Sequence, residues 1–105
     1  MKNIKPLGFG GDLMYLVLVY DIKLDESGPK ILRRVFKTCK KYLTHIQNSV
    51  FEGELSEAQL LKLKAEIKMY LREDIDSCII FKGRNNIWMQ KEFVVKEEDK
   101  TSQFL

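Results

Sequence analysis

Two cysteines and one histidine are all the thiol and imidazole metal ligands that this 105-residue chain offers. Cys39 and Cys78 stand far apart among apolar neighbours, and no CxxC pair is present, so neither a zinc site nor a disulfide framework is indicated. Both thiols read as small buried hydrophobes in a reducing cytosol. With His45 as the single histidine, a multi-histidine metal site within one chain is excluded. No apolar run is long enough to span a bilayer, so no membrane partner is expected. Lys2 and Lys5 are not followed by an apolar stretch, which argues against a secretory signal. No internal repeat and no second domain is visible.

What is present fits one soluble domain with one core: 45% hydrophobic residues, 31% charged residues and a net charge of +3. Residues 1–13, with Pro6, Gly8, Gly10 and Gly11, read as a flexible leader or an extension ahead of a start at Met14. The next stretch, Met14 to Tyr20, is an unbroken apolar and aromatic run and predicts a buried strand. Asp21 stands at its carboxyl end, where open α/β sheets commonly bind and react. The plain alternative for such an Asp is to close a turn or cap the next helix.

Gly28-Pro29 opens a helix, with proline near the first helical position, where its missing N–H costs nothing. Ile31, Val35, Cys39 and Tyr42 recur at helical spacing, and the helix ends near Leu43. A second strand is predicted over His45–Glu52, with Gln47, Ser49 and Phe51 on one face and Ile46 and Val50 on the other. Ser56 and Gln59 form a capping box. The helix behind it carries Leu60, Leu63, Ile67 and Tyr70 on one face and runs to about Arg72. Ser77–Lys82 reads as a third strand, Gly83–Asn86 as a turn and Ile87–Val95 as a fourth strand of mixed polarity. A charged tail, residues 96–105, ends in Phe104-Leu105 and reads as a docking segment for a partner or a second copy.

The expected architecture is α+β: a ferredoxin-like βαββαβ domain over residues 14–95, with a four-stranded antiparallel sheet and both helices on one face, although the elements divided in this way run βαβαββ. The other sheet face has no helix to cover it. Two such faces packed together make a homodimer, which suits so small a chain.

The first helix carries a second signal. Lys30, Arg33, Arg34, Lys37, Lys40 and Lys41 are basic, no acid lies among them, and all but Lys40 share one stripe. Like charges on one face cost helix stability, so the stripe points to a polyanion such as a phosphate backbone. A solvated helix face is the plain alternative. Contacts of this kind are independent of sequence and sensitive to salt.

Val19-Tyr20-Asp21-Ile22 at the end of the first strand, the basic first helix, and Gln47-Asn48-Ser49-Val50-Phe51-Glu52 at this interval resemble the small CRISPR-associated endonuclease of the spacer-acquisition module, the Cas2 family. The resemblance runs from Met14 to the C-terminus. It implies a homodimer of ferredoxin-like domains, Mg²⁺-dependent phosphodiester cleavage of single-stranded RNA or double-stranded DNA, and partnership with the adaptation integrase during insertion of new spacers. The family's strand aspartate falls on Asp21 as catalytic residue and metal ligand. Its adjacent aromatic falls on Tyr20 and its later Ser and Phe fall on Ser49 and Phe51, all three as nucleic-acid contacts, and its first-helix arginine falls on Arg33 or Arg34. Asn48 stands where the family often has a basic or aromatic residue.

One Asp is a poor site for Mg²⁺ (or Mn²⁺), which wants octahedral oxygen ligands. Two copies of Asp21 facing each other across a dimer axis would repel without a cation between them and so favour one. The competing function is a non-catalytic dimer that holds duplex DNA and bridges integrase subunits. An RNA-recognition module of the same strand order is disfavoured, because Asp76–Lys82 lacks the Lys/Arg-Gly-aromatic pattern of that family. A metal chaperone of this fold would need a cysteine pair.

Overall fold

A computed structural model of the chain describes residues 13–84 and 90–95. The element order is β1 (Met14–Asp21), α1 (Gly28–Tyr42), β2 (Thr44–Gln47), β3 (Val50–Leu55), α2 (Glu57–Lys68) and β4 (Ser77–Gly83). The strands form one antiparallel sheet in the order β2-β3-β1-β4. This is the expected ferredoxin-like arrangement. Strand alternation sends Leu16, Leu18 and Tyr20 of β1 and Phe51 and Leu55 of β3 into one core. Val35 and Cys39 of α1 and Leu60, Leu63 and Ile67 of α2 close it from one side. Leu16, Leu18, Val35, Cys39, Phe51 and Leu63 are fully enclosed.

The strand order was reached by a different division of the chain than the pattern suggests. The segment His45–Glu52 is not one strand. It turns at Asn48-Ser49, with Gln47 facing Val50 across the hairpin. Asn48 takes a φ of 50°, the left-handed region that Asn enters more readily than most side chains. That backbone demand accounts for an Asn here. Gln47, Ser49 and Phe51 therefore do not line one strand face.

Two further boundaries move. The second helix ends at Lys68 rather than near Arg72, and Met69, Tyr70 and Leu71 donate back to Glu66 and Ile67 in a closing turn. The fourth strand is Ser77–Gly83, not Ile87–Val95. Residues 90–95 are irregular, and 90–93 lie against the uncovered sheet face beside Tyr15, Val17, Val50 and Glu52. There Tyr15 donates to Glu52 at 2.7 Å, and Lys91 pairs with the same carboxylate. The expected turn at Gly83–Asn86 is described only as far as Arg84, which is a bend. The expected leader (all but Leu13), residues 85–89 and the tail from Lys96 to Leu105 lie outside the described residues.

The capping box forms as read: the Gln59 N–H donates to Ser56 Oγ at 3.2 Å, and the Ser56 N–H donates to Gln59 Oε1 at 2.9 Å. At the start of α1 the chain passes so close to itself that only glycine fits. A Cβ on Gly28 would lie 2.2 Å from the carbonyl oxygen of Lys23. This packs the loop after β1 tightly against the helix it leads into. Among the described residues no helix is long and apolar enough to cross a membrane.

Candidate nucleic-acid interface

Asp21 is the last residue of β1, paired in register with Ser77 of β4 and exposed to solvent. Along β1 it follows Val17 and Val19 on the face turned away from the helices. That face also carries Ile79 and Phe81, which are 53% and 52% exposed. The described part of this face is therefore left with an open apolar strip.

The loop behind Asp21 is held by a cluster that the sequence pattern did not reveal. Arg72 Nη1 donates to both oxygens of Asp25, at 2.7 and 2.8 Å. Its Nη2 donates to the carbonyl of Lys23 and to Asp76 Oδ1, and its Nε donates to Asp76 Oδ2 at 2.9 Å. Asp76, enclosed, also accepts the backbone N–H of Lys23 and of Arg72. Hydrogen bonds from Arg72, then those backbone donors, hold the Asp76 carboxyl at about 2, below the usual carboxylate range. Asp25 is lowered too, chiefly by the Arg72 guanidinium, and its Oδ1 accepts the N–H of Gly28 at the helix start. The β1–α1 loop is thus tied at Lys23, Asp25 and Gly28 to the segment that enters β4. The sequence signal was an Arg and an Asp four apart, past the second helix. Their partner Asp25 lies 47 residues from Arg72 and has no local signature.

On the helical face, Lys30, Arg33, Arg34, Lys37 and Lys41 line one shallow groove of about 600 Å³. All five are exposed. Thr38 forms its floor, with its hydroxyl turned back to the carbonyl of Arg34 at 2.9 Å, and Tyr70 forms the wall contributed by the chain beyond α2. The Arg34 guanidinium lies over the Tyr70 ring, 5.6 Å from its centroid. Among the described residues, Lys41 is the member of the stripe that has an acidic partner, Glu66 at 2.7 Å. That bond and the one from the Tyr42 hydroxyl lower the Glu66 carboxyl. The stripe is thus a concentrated positive surface bounded by α2. Because α1 starts at the carboxyl end of β1, Lys30, Arg33 and Arg34 lie toward the Asp21 end of the sheet.

The remaining positions are placed differently from their expected roles. Tyr20 is 3% exposed and Phe51 is fully buried, with ring centroids 6.0 Å apart. Phe51 also packs against Phe36 and His45. Burial drives the Tyr20 phenol above its ordinary range. Both rings are core residues of this chain, and neither offers a face to a nucleic acid. Ser49 is a half-buried turn residue whose carbonyl accepts the Tyr20 N–H at 3.2 Å. The thiols are unpaired, and burial pushes Cys39 up to about 12 and Cys78 up to about 11, as inert packing residues require.

The donor set for a metal is thin. Among the described residues no three His, Cys, Asp or Glu side chains cluster as a metal centre would need. Asp25 and Asp76 are both engaged by Arg72, which leaves Asp21 as the carboxylate presented at the end of β1. The described residues of a single chain do not fit a divalent-ion site by themselves.

The fold and these surfaces define a small ferredoxin-like domain with a polycationic helix face and an exposed strand-end carboxylate. The family model for CRISPR associated protein Cas2 matches residues 14–91, and the chain belongs to that family. It is 57% identical over 104 residues to the CRISPR-associated endoribonuclease Cas2 of Fusobacterium nucleatum, covering 99% of this chain and 98% of the relative. It is 37% identical over 91 residues to a protein of the same name from Moorella thermoacetica, covering 86% and 100%. A crystal structure of Streptococcus pyogenes Cas2 superposes with a TM-score of 0.66 at 28% identity, covering 75% of this chain and 98% of that one. A second Cas2 crystal structure gives 0.69 at 38% identity, covering 84% and 92%.

Proposed function

We propose that this protein is a homodimeric endonuclease of the CRISPR adaptation machinery, cleaving phosphodiester bonds in single-stranded RNA or double-stranded DNA and working with the adaptation integrase when new spacers are acquired. The observation that carries this reading is Asp21: an exposed carboxylate at the carboxyl end of the central strand, beside the end of a helix whose outer face is basic. Relatives over nearly the whole chain bear the name endoribonuclease, which supports the same chemistry here.

Dimerisation through the open sheet face, with Ile79 and Phe81 of the edge strand β4 included, would bury the exposed apolar strip and offer a second Asp21. A divalent cation, Mg²⁺ or Mn²⁺, requires that second carboxylate, and it would supply Lewis-acid stabilisation of the phosphate. The chain's own residues have separate tasks. The α1 stripe binds backbone phosphates without reading sequence, and the loop held by Arg72 fixes the direction in which β1 presents Asp21.

One observation favours a second reading, a non-catalytic DNA-holding dimer that bridges integrase subunits. The basic face is fully formed in one protomer, whereas the carboxylate site is not. Incubating the purified protein with labelled single-stranded RNA and duplex DNA, in Mg²⁺, in Mn²⁺ and in chelator, separates the two. Cleavage in the metals and none in chelator is the result expected of the nuclease. Tight, salt-sensitive binding with no cleavage in any condition would establish the scaffold instead.

A further inference from the structure

The row of side chains on the open face of β1 does not stop at Asp21. Val17, Val19 and Asp21 alternate with the buried Leu18 and Tyr20, and past the strand Ile22 is buried again while Lys23 is exposed. The alternation therefore carries through residue 23, and Lys23 follows Asp21 on the same side of the chain. The Cα atoms of such an extended i, i+2 pair are on the order of 7 Å apart. Among the described residues neither side chain has a charged partner. The main chain of Lys23, by contrast, is held at each group. Its N–H donates to Asp76 Oδ1 at 3.0 Å, and its carbonyl accepts Arg72 Nη2 at 2.9 Å. Gly28 packs against that carbonyl where no side chain fits. An enclosed carboxylate and a guanidinium thus fix the backbone of one residue whose own side chain takes no part in the network.

We propose that Lys23 is a catalytic residue of the phosphodiester cleavage, with its ammonium set against the non-bridging oxygens of the scissile phosphate beside Asp21. This deepens the nuclease reading and rests on it. In the hydrolysis a water oxygen forms a bond to phosphorus, and the bond from phosphorus to one ester oxygen breaks. The proton that the water loses ends on that leaving oxygen. No bond to Lys23 forms or breaks; its charge meets the negative charge of the phosphoryl group in the transition state. Three observations single Lys23 out from the other basic residues. The α1 stripe lies on the helical side of the sheet, whereas Lys23 continues the Asp21 row. A carboxylate and an ammonium one i, i+2 step apart leave room for a phosphate between them. The clamp on the main chain fixes the root of this one cation before substrate arrives, and preorganised charge needs no rearrangement during the reaction. A purely structural role accounts for the clamp but not for a lysine, because the network would hold any residue at position 23. In the proposed dimer each Asp21 also brings its own Lys23, which offsets the repulsion between the two carboxylates.

The test compares wild type, Lys23→Met and Lys23→Arg in three measurements. These are steady-state cleavage of a labelled single-stranded RNA in Mg²⁺ and in Mn²⁺, equilibrium binding of the same RNA in chelator, and thermal unfolding. Lys23→Met is expected to lower kcat about 100-fold. Its KM and its affinity in chelator are expected to stay within about twofold of wild type, because the contact strengthens only in the transition state. Its melting temperature is expected to stay within about 3 °C, since the side chain is exposed and the clamp uses only the main chain. Lys23→Arg, which keeps the charge, is expected to hold kcat within about tenfold of wild type. An unchanged kcat in Lys23→Met would overturn the proposal, and so would a loss that falls on KM and affinity instead. A Lys23→Met protein that melts far below wild type, or a Lys23→Arg protein as slow as Lys23→Met, would overturn it as well. Wild-type protein that cleaves in neither metal would remove the nuclease reading and this inference together, whereas cleavage equal in wild type and Lys23→Met removes this inference alone.

Discussion

Replacing Asp21 by Asn is expected to lower the cleavage rate by about 100-fold or more, with affinity for nucleic acid changed by no more than about twofold. Three features make the effect large and specific. The other carboxylates tied into the neighbouring loop, Asp25 and Asp76, are saturated by Arg72 and by backbone N–H groups and cannot take over. Asn keeps the size and the strand pairing with Ser77, so the fold gives little reason for activity to fall. The charged groove proposed to bind phosphate is built from other residues on the other side of the sheet. Rate and affinity measured on the same single-stranded RNA check this. A matching fall in both would mean that Asp21 shapes binding rather than chemistry.

Asp76→Ala is expected to destabilise the fold by about 3 kcal/mol, which lowers the melting temperature of a domain this size by on the order of 10–20 °C. The carboxylate is enclosed and accepts four hydrogen bonds, from the Lys23 N–H, the Arg72 N–H, Nε and Nη2. Removing it strands those donors in a poorly hydrated place and frees the β1–α1 loop from β4. The same group gives a pH signature. Its folded pKa of about 2 lies below that of an unfolded Asp, about 4. Its stabilisation is therefore complete above about pH 4 and is lost as pH falls from about 4 toward 2. Asp25, Glu52 and Glu66, all lowered as well, add to acid lability. Acid titrations of wild type and Asp76→Asn check the sign. The variant is expected to show a shallower loss of stability across that window, and a parallel curve would mean that Asp76 is not the titrating group.

The parts of the fold that were legible in the sequence are those governed by local pattern. The apolar run Met14–Tyr20, the Gly28-Pro29 helix start and the Ser56/Gln59 capping box each depend on residues within a few positions of one another, and each is present as read. The hairpin at Asn48-Ser49 was hidden because its turn contains no Gly or Pro, and a period-two pattern runs through it without a visible break. Phe51 and Tyr20 were read as surface contacts because motif position says nothing about which sheet face the helices cover. Register puts both on the covered face. The Arg72 cluster was invisible for another reason: its partners meet only after the sheet has brought the ends of β1 and β4 together. The basic stripe was legible as a helical spacing, but Tyr70 as its opposite wall needed the packing of α2 against α1.

On the proposed mechanism, cleavage takes place at a pair of Asp21 carboxylates contributed by two protomers. Mixing wild type with Asp21→Asn at constant total protein, after subunit exchange, and measuring the initial rate of single-stranded RNA cleavage tests it directly. If both carboxylates are required, the rate follows the square of the wild-type fraction and falls to about one quarter at an equal mixture. A rate that falls linearly to about one half, or an Asp21→Asn protein that cleaves as fast as wild type, would contradict it.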